Sequence, residues 1–117
     1  MPIPPFTPGR GEIWLADLSP VLGHEQSGRL PVLIVSVNAF NQSRAELVII
    51  VPVTSTLRRL PLHVVVQPPE GGLTQASAIM CEAVRSISKD RLIVRWGGLL
   101  PQTLAFVDDR LRIVMGL

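Results

Sequence analysis

The chain has 117 residues, a formal net charge of +2, 47% hydrophobic residues and a mean hydropathy of +0.39. That length fits a single domain able to bury a core without staples, and the apolar excess points to surface covered by a second copy. No apolar run approaches the ~20 residues of a membrane helix, the start Met1-Pro2-Ile3-Pro4-Pro5 lacks a leader pattern, and the lone Cys81 excludes an internal disulfide and a cysteine-rich metal site, so a cytoplasmic protein is expected.

Residues 1–10 hold four of the eleven prolines and read as an extended arm. Gly11 to Leu18 reads as a first strand, ended by Ser19-Pro20. Residues 19–31 connect it to the second strand, and connections of that length in compact domains are functional or mobile. This one gathers His24, Glu25, Gln26, Ser27 and Arg29 within six positions. Val32 to Val35 is apolar and mostly β-branched, which predicts a buried strand over 32–37. Pro31, with no N–H to donate, suits the first residue of a strand. Asn38 to Arg44 is a polar turn, and Leu47 to Val53 a third strand in which Pro52 demands an edge or a bulge.

Thr54-Ser55-Thr56 is a hydroxyl cluster running into Arg58 and Arg59. Leu62 to Val66 is a fourth strand that contains His63 as a structural residue, and Pro68 to Gly72 is a turn. Ala78 to Val84 reads as a fifth strand with Cys81 as a core thiol. Ser88 to Arg91 resembles one helical turn, and Ile93 to Trp96 a short strand stopped by Gly97-Gly98. Pro101 opens a helix that runs to about Met115. Its apolar stripe is Leu104, Val107, Leu111 and Val114, and Gly116 is its C-cap. Strands first and one amphipathic helix last predict a mainly β (α+β) domain, a small, strongly curved antiparallel sheet or barrel with the helix packed on it.

Ten of the eleven basic residues are arginine, the residue suited to bidentate phosphate and carboxylate contacts. A balance of +2 does not by itself imply nucleic acid; arginines clustered on one face would. Aromatics are only 4% of the chain, so base stacking requires that Trp14, Trp96 or Phe40 be exposed.

At Gly11-Glu12-Ile13-Trp14, Gly23-x-Glu25-Gln26, Pro31-Val32-Leu33-Ile34-Val35-Ser36 and Val53-Thr54-Ser55-Thr56 the chain resembles the MazF/PemK family of toxin endoribonucleases. The likeness continues through Cys81 to Leu92 into the last helix and covers nearly all of residues 10–117. The resemblance implies one domain with an SH3-like barrel and a C-terminal helix, acting as a homodimer. It implies cleavage of single-stranded RNA at short sequences, without metal or cofactor. It also implies a cognate MazE-like antitoxin whose disordered acidic tail fills the RNA groove. The family places a catalytic arginine just before the Pro31 position and a catalytic threonine at Thr54. Thr54 matches, but Leu30 stands directly before Pro31 and Arg29 is one residue early; Ala83 stands where a glutamine is common.

In metal-free cleavage the 2′-hydroxyl attacks the adjacent phosphate, giving a 2′,3′-cyclic phosphate and a 5′-hydroxyl. Arg29 suits the charge of the phosphorane, Thr54 can donate a hydroxyl hydrogen bond to it, and Glu25 can accept the 2′-hydroxyl proton or hold Arg29. Arg29 is expected to reach the site from its shifted position because no ladder fixes the register just before Pro31, with Leu30 packed inward. Arg58, Arg59 and Arg85 are candidate phosphate contacts. His24, Gln26, Ser55 and Glu82 complete the expected RNA-binding set. Two alternatives share the fold. One is a gyrase poison, whose relatives end in Trp-Gly-Ile where this chain ends Met115-Gly116-Leu117. The other is a degenerate barrel that only binds antitoxin or RNA.

Overall fold

The structure, a computed structural model, describes residues 7–19 and 28–117. Among these, seven strands form one antiparallel sheet: β1 (Glu12–Asp17), β2 (Arg29–Ile34), β3 (Leu47–Thr54), β4 (His63–Val66), β5 (Ser77–Met80), β6 (Arg85–Ser88) and β7 (Leu92–Gly98). The order is β4-β5-β3-β2-β1-β7, with β6 added to β3. The ends, β4 and β7, do not pair, so the expected curled sheet is open rather than a closed barrel. A short helix α1 (Asn38–Asn41) sits in the expected polar turn, and α2 (Pro101–Met115) ends the chain.

The run Leu47-Val48-Ile49-Ile50-Val51 explains why β3 is the hub: it pairs with β2, β6 and β5 in turn. Both strand prolines fall where one flank of the ladder is open. Pro52 lies between the last residue paired to β6, Ile50, and the first paired to β5, Val53. Pro31 pairs with Leu15 of β1, while pairing with β3 starts only at Val32. A missing N–H is tolerated at such places.

Alternation along the strands builds two cores. Ile13, Leu33, Val51, Val53 and Ile79 face α2, which contributes Val107 and Leu111. Trp14, Ala16, Val32, Ile34, Val48, Ile50 and Ile87 fill the other face, where the sheet curls on itself, with Leu30 and Leu92 packed at the margin. The helix matches its expected bounds, with Pro101 at its start and Gly116 as a left-handed cap at φ 72°. Its stripe is shorter than expected, because Val114 is 40% exposed and faces outward with Ile113 and Met115.

Two other expectations are corrected. The second strand begins at Arg29 rather than Val32, and Val35 and Ser36 lie beyond its end. The single strand expected over 78–84 breaks at Met80 into a tight turn, Cys81–Ala83, after which Arg85–Ser88 forms a strand of its own paired to β3. The break frees β3 to exchange one partner for the other.

Glu12 ties the arm, β1 and β7 together. Its carboxylate accepts from Gly9 N at 2.7 Å, from Trp14 Nε1 at 3.0 Å and from Arg95 Nε at 2.8 Å. Burial alone raises its pKa, but the hydrogen bonds and the Arg95 charge outweigh burial and leave it below the ordinary 4.5. The native state therefore holds the ionised form. Its stabilisation is complete above the unfolded value and is lost as pH falls through the lower native one. Melting temperature is expected to drop as pH is taken below about 4.5, and Glu12→Gln should flatten that part of the profile. An equally steep acid limb in the variant would place the titrating group elsewhere.

Candidate active site

The candidate site is built where β2 begins. Leu18 N donates to Gly28 O at 3.0 Å and Gly28 N to Ser19 Oγ at 3.0 Å, so pairing with β1 runs up to the margin of the connection. Arg29 pairs with Asp17, Leu30 with Ala16 and Pro31 with Leu15. The expectation that no ladder fixes the register before Pro31 is thus corrected: the ladder already holds Arg29. In a strand one residue of shift reverses the face. Arg29 lies with Pro31 and Leu33 on the α2 side of the sheet, and Leu30 lies with Val32 and Ile34 on the other. Leu30 does pack inward, against the second core, and Arg29 is exposed.

The same alternation sorts the remaining residues. Val32 pairs with Pro52, and continuing that register sets Leu30 across from Thr54 and Arg29 across from Ser55. Thr54 is half-buried at the end of β3, and its Oγ1 accepts from Thr56 N at 3.1 Å. That bond uses an oxygen lone pair and leaves the hydroxyl proton free to donate. Ser55 is exposed, as are Arg58 and Arg59 in the loop before β4, where Arg59 adopts φ 53°. Arg85 pairs with Ile50 and is half-buried on the Leu30 face. The sheet therefore joins Arg29 with Ser55 on one side and Thr54 with Arg85 on the other. His24, Glu25 and Gln26 lie outside the described residues.

Glu82 is bonded to the first residue of β4. Its Oε2 is 2.9 Å from His63 Nε2, and the His63 side chain is 2% exposed while that of Glu82 is 40% exposed. His63 is structural, as expected, with its Nδ1 buried and unpartnered. Next to it the Cys81 thiol is buried, and burial together with the Glu82 charge pushes its pKa up to about 11. At neutral pH it is a protonated core group and no nucleophile. No three His, Cys, Asp or Glu side chains among the described residues converge as metal ligands. No helix among them is long and apolar enough to cross a membrane.

Sequence reasoning passed over Thr74, Gln75 and Ser77, which border a cleft on the Arg29 side together with Pro31 and Ser55. The available signal was a polar stretch set directly against the apolar β5, in a segment that otherwise reads as connection.

Comparison with known proteins bears on this arrangement. A family model described as a PemK-like, MazF-like toxin of type II toxin–antitoxin systems matches residues 9–115. Endoribonuclease EndoA of Bacillus subtilis (strain 168) is 34% identical over 110 residues, covering 92% of this chain and 94% of the relative. MazF of Deinococcus radiodurans superposes with a TM-score of 0.85 at 26% identity, over 96% of this chain and 99% of that one. An endoribonuclease from Mycobacterial species, solved in complex with its cognate antitoxin, superposes with a TM-score of 0.76 at 27% identity over 96% of each chain. With the match running from the arm through both cores and α2, the chain belongs to the family of PemK-like, MazF-like toxins of type II toxin–antitoxin systems.

Proposed function

We propose that this toxin is a metal-independent, sequence-specific endoribonuclease that cleaves single-stranded RNA in the cytoplasm and leaves 2′,3′-cyclic phosphate and 5′-hydroxyl ends. One observation carries the assignment of the site: Arg29 is exposed at the first position of β2, on the face of Pro31 and Ser55, with Leu30 anchoring it from behind. A guanidinium fixed there by the ladder grips two phosphate oxygens and offsets the charge of the phosphorane. Thr54 and Ser55, adjacent at the end of β3, supply hydroxyl donors from the two sides of the strand. Glu25 receives the 2′-hydroxyl proton, an assignment that rests on its place in the sequence.

The toxin acts as a two-fold homodimer. Phe106, Ile113, Met115 and Leu117 are 57%, 64%, 51% and 84% exposed, an apolar surface that a second copy covers. Its inhibitor is a MazE-like antitoxin with an acidic segment that folds on binding and competes with RNA for the same arginines. Phosphate contacts make RNA affinity fall with salt, with a slope of about −0.7 per contact for single strands. Arg58 and Arg59, exposed and making no ion pair with a described residue, are assigned to that set. Replacing both by alanine should flatten the slope by about one unit or more without changing the preferred sequence. Nitrocellulose binding across a salt series measures it, and an unchanged slope removes the pair from the phosphate contacts.

A further inference from the structure

The ladder between β1 and β7 ends where Ala16 pairs with Leu92. Leu18 N bonds Gly28 O on the β2 side. By alternation the Asp17 and Ser19 carbonyls point to the opposite edge, where β7 offers no further backbone. A side chain takes the place of the missing strand. Arg91, the residue before β7, donates from Nη1 to Ser19 O at 2.6 Å and to Asp17 O at 3.2 Å. Ser19 N donates to Asp17 Oδ1 at 3.0 Å, and Ser19 Oγ accepts from Gly28 N at 3.0 Å. This relay of bonds runs from Arg91 to Gly28, the residue before Arg29, and Asp17 is the residue paired with Arg29 itself.

Arg91 is in turn held firmly. It closes the turn Lys89–Arg91 between β6 and β7, in which Ser88 Oγ accepts from Asp90 N at 3.3 Å. Lys89 fastens that turn twice: its N donates to Glu46 O at 3.1 Å and its Nζ to the carbonyl of the buried Asn41 at 2.7 Å. Glu46 adopts φ 58°, a conformation rare for a residue with a side chain. Such backbone persists where its surroundings fix it. The turn is thus tied to α1 and to the connection that leads into β3.

We propose that Arg91 is a positioning residue for RNA cleavage, fixing the start of β2 and with it the Arg29 guanidinium; the proposal rests on the RNA-cleaving function above, with Arg29 as its cation. Arg29 stands at the first position of β2, three residues before pairing with β3 begins at Val32. At that level β2 is held by β1 alone, and β1 is held on its other edge by Arg91 alone. Gly28, at φ +75°, has nothing within 4 Å of where a Cβ would stand, so it adds no packing of its own. A charged donor suits this task because it bonds carbonyls more strongly than a neutral one. Without it the ladder is free to fray from its open end, and a displacement of about 1 Å at a transition-state contact costs up to ~10²-fold in rate.

The test is a double-mutant cycle read by single-turnover cleavage, with hydrogen exchange measured on the free protein. Arg91→Ala should lower the rate at saturating protein roughly tenfold to 10²-fold, while the half-saturating concentration moves less than about threefold. In an Arg29→Ala background the same change should cost about twofold or less, because the contact it positions is already gone. The amide of Leu18, buried and bonded to Gly28 O, should exchange roughly tenfold faster in Arg91→Ala, with Ile50 of β3 unchanged. Ser19→Ala, at an exposed position that does not threaten folding, should slow cleavage in the same Arg29-dependent way. An equal loss with and without Arg29, or Leu18 exchange at the wild-type rate, overturns the positioning role. A wild-type protein that cuts no RNA overturns the cleaving function instead, and the exchange of Leu18 still decides whether Arg91 holds the start of β2.

Discussion

Arg29→Ala is expected to slow RNA cleavage by about 10²–10³-fold, the usual consequence of removing one charge contact made in the transition state. Stability should stay within about 0.5 kcal/mol of the wild type, as for other exposed positions away from the core. The physical reason lies in the register of β2. Arg29 is exposed and contributes nothing to either core, whereas Leu30 packs against the second core. Arg29→Lys should recover only part of the rate, because a point charge replaces a planar fork that grips two oxygens. Leu30→Arg is the informative companion. It sets a guanidinium directly before Pro31 on the Thr54 side of the sheet and removes an apolar side chain from the core margin. The natural chain should not need it. Wild-type cleavage by Arg29→Ala would remove Arg29 from the site. Cleavage by Leu30→Arg alone would make the natural protein a degenerate toxin. Single-turnover cleavage of a labelled RNA, with thermal unfolding of each variant, separates these outcomes.

Leu33→Ala is expected to destabilise the protein by about 2–5 kcal/mol, through lost burial and the cavity left behind. Leu33 is 0% exposed and packs with Ile13, Val51, Val53 and Ile79 beneath α2. It is four residues from Arg29 on the same face of β2, so loosening it also loosens the element that carries the cation. A melting temperature lower by ~10 °C or more should follow for a domain of this size. The comparison must be made at one protein concentration, since dimerisation contributes to apparent stability. Val37→Ala is the control, because Val37 is 58% exposed and its loss should change little. A Leu33→Ala variant that melts with the wild type would contradict the core described here.

Much of this fold can be read from the sequence because its signals are local. The β-branched run of β3 and the apolar run of β2 could hardly be anything but buried strands, and the Pro101-to-Gly116 punctuation marks α2 almost to the residue. The break at Met80 could not be read, because Ala78 to Val84 is apolar apart from Glu82 and reads as one strand. Only the need of β3 for two successive partners divides it. The same holds for β2. Its apolar residues start at Val32, but hydrogen bonding to β1 extends the strand back to Arg29, a tertiary effect with no local signature. That difference matters for the site, because it decides which face Arg29 takes. The residues Arg29, Thr54, Ser55 and Arg85 were legible as chemistry, yet their division between two faces needed the register. The cleft residues Thr74 and Gln75 were illegible, since a polar pair in a connection gains meaning only when Trp96 and Pro31 are brought beside it.

The central claim is that this chain cuts RNA by attack of the 2′-hydroxyl without help from a metal. The most direct measurement is to incubate the purified wild-type protein with a mixed RNA pool in excess EDTA and map the ends produced. Cleavage is expected at a short recurring sequence, with 2′,3′-cyclic phosphate and 5′-hydroxyl termini, and should be abolished when 2′-deoxyribose replaces the ribose before the cut. An intact pool in EDTA, or products that carry 5′-phosphates and appear only with added divalent cation, would contradict it.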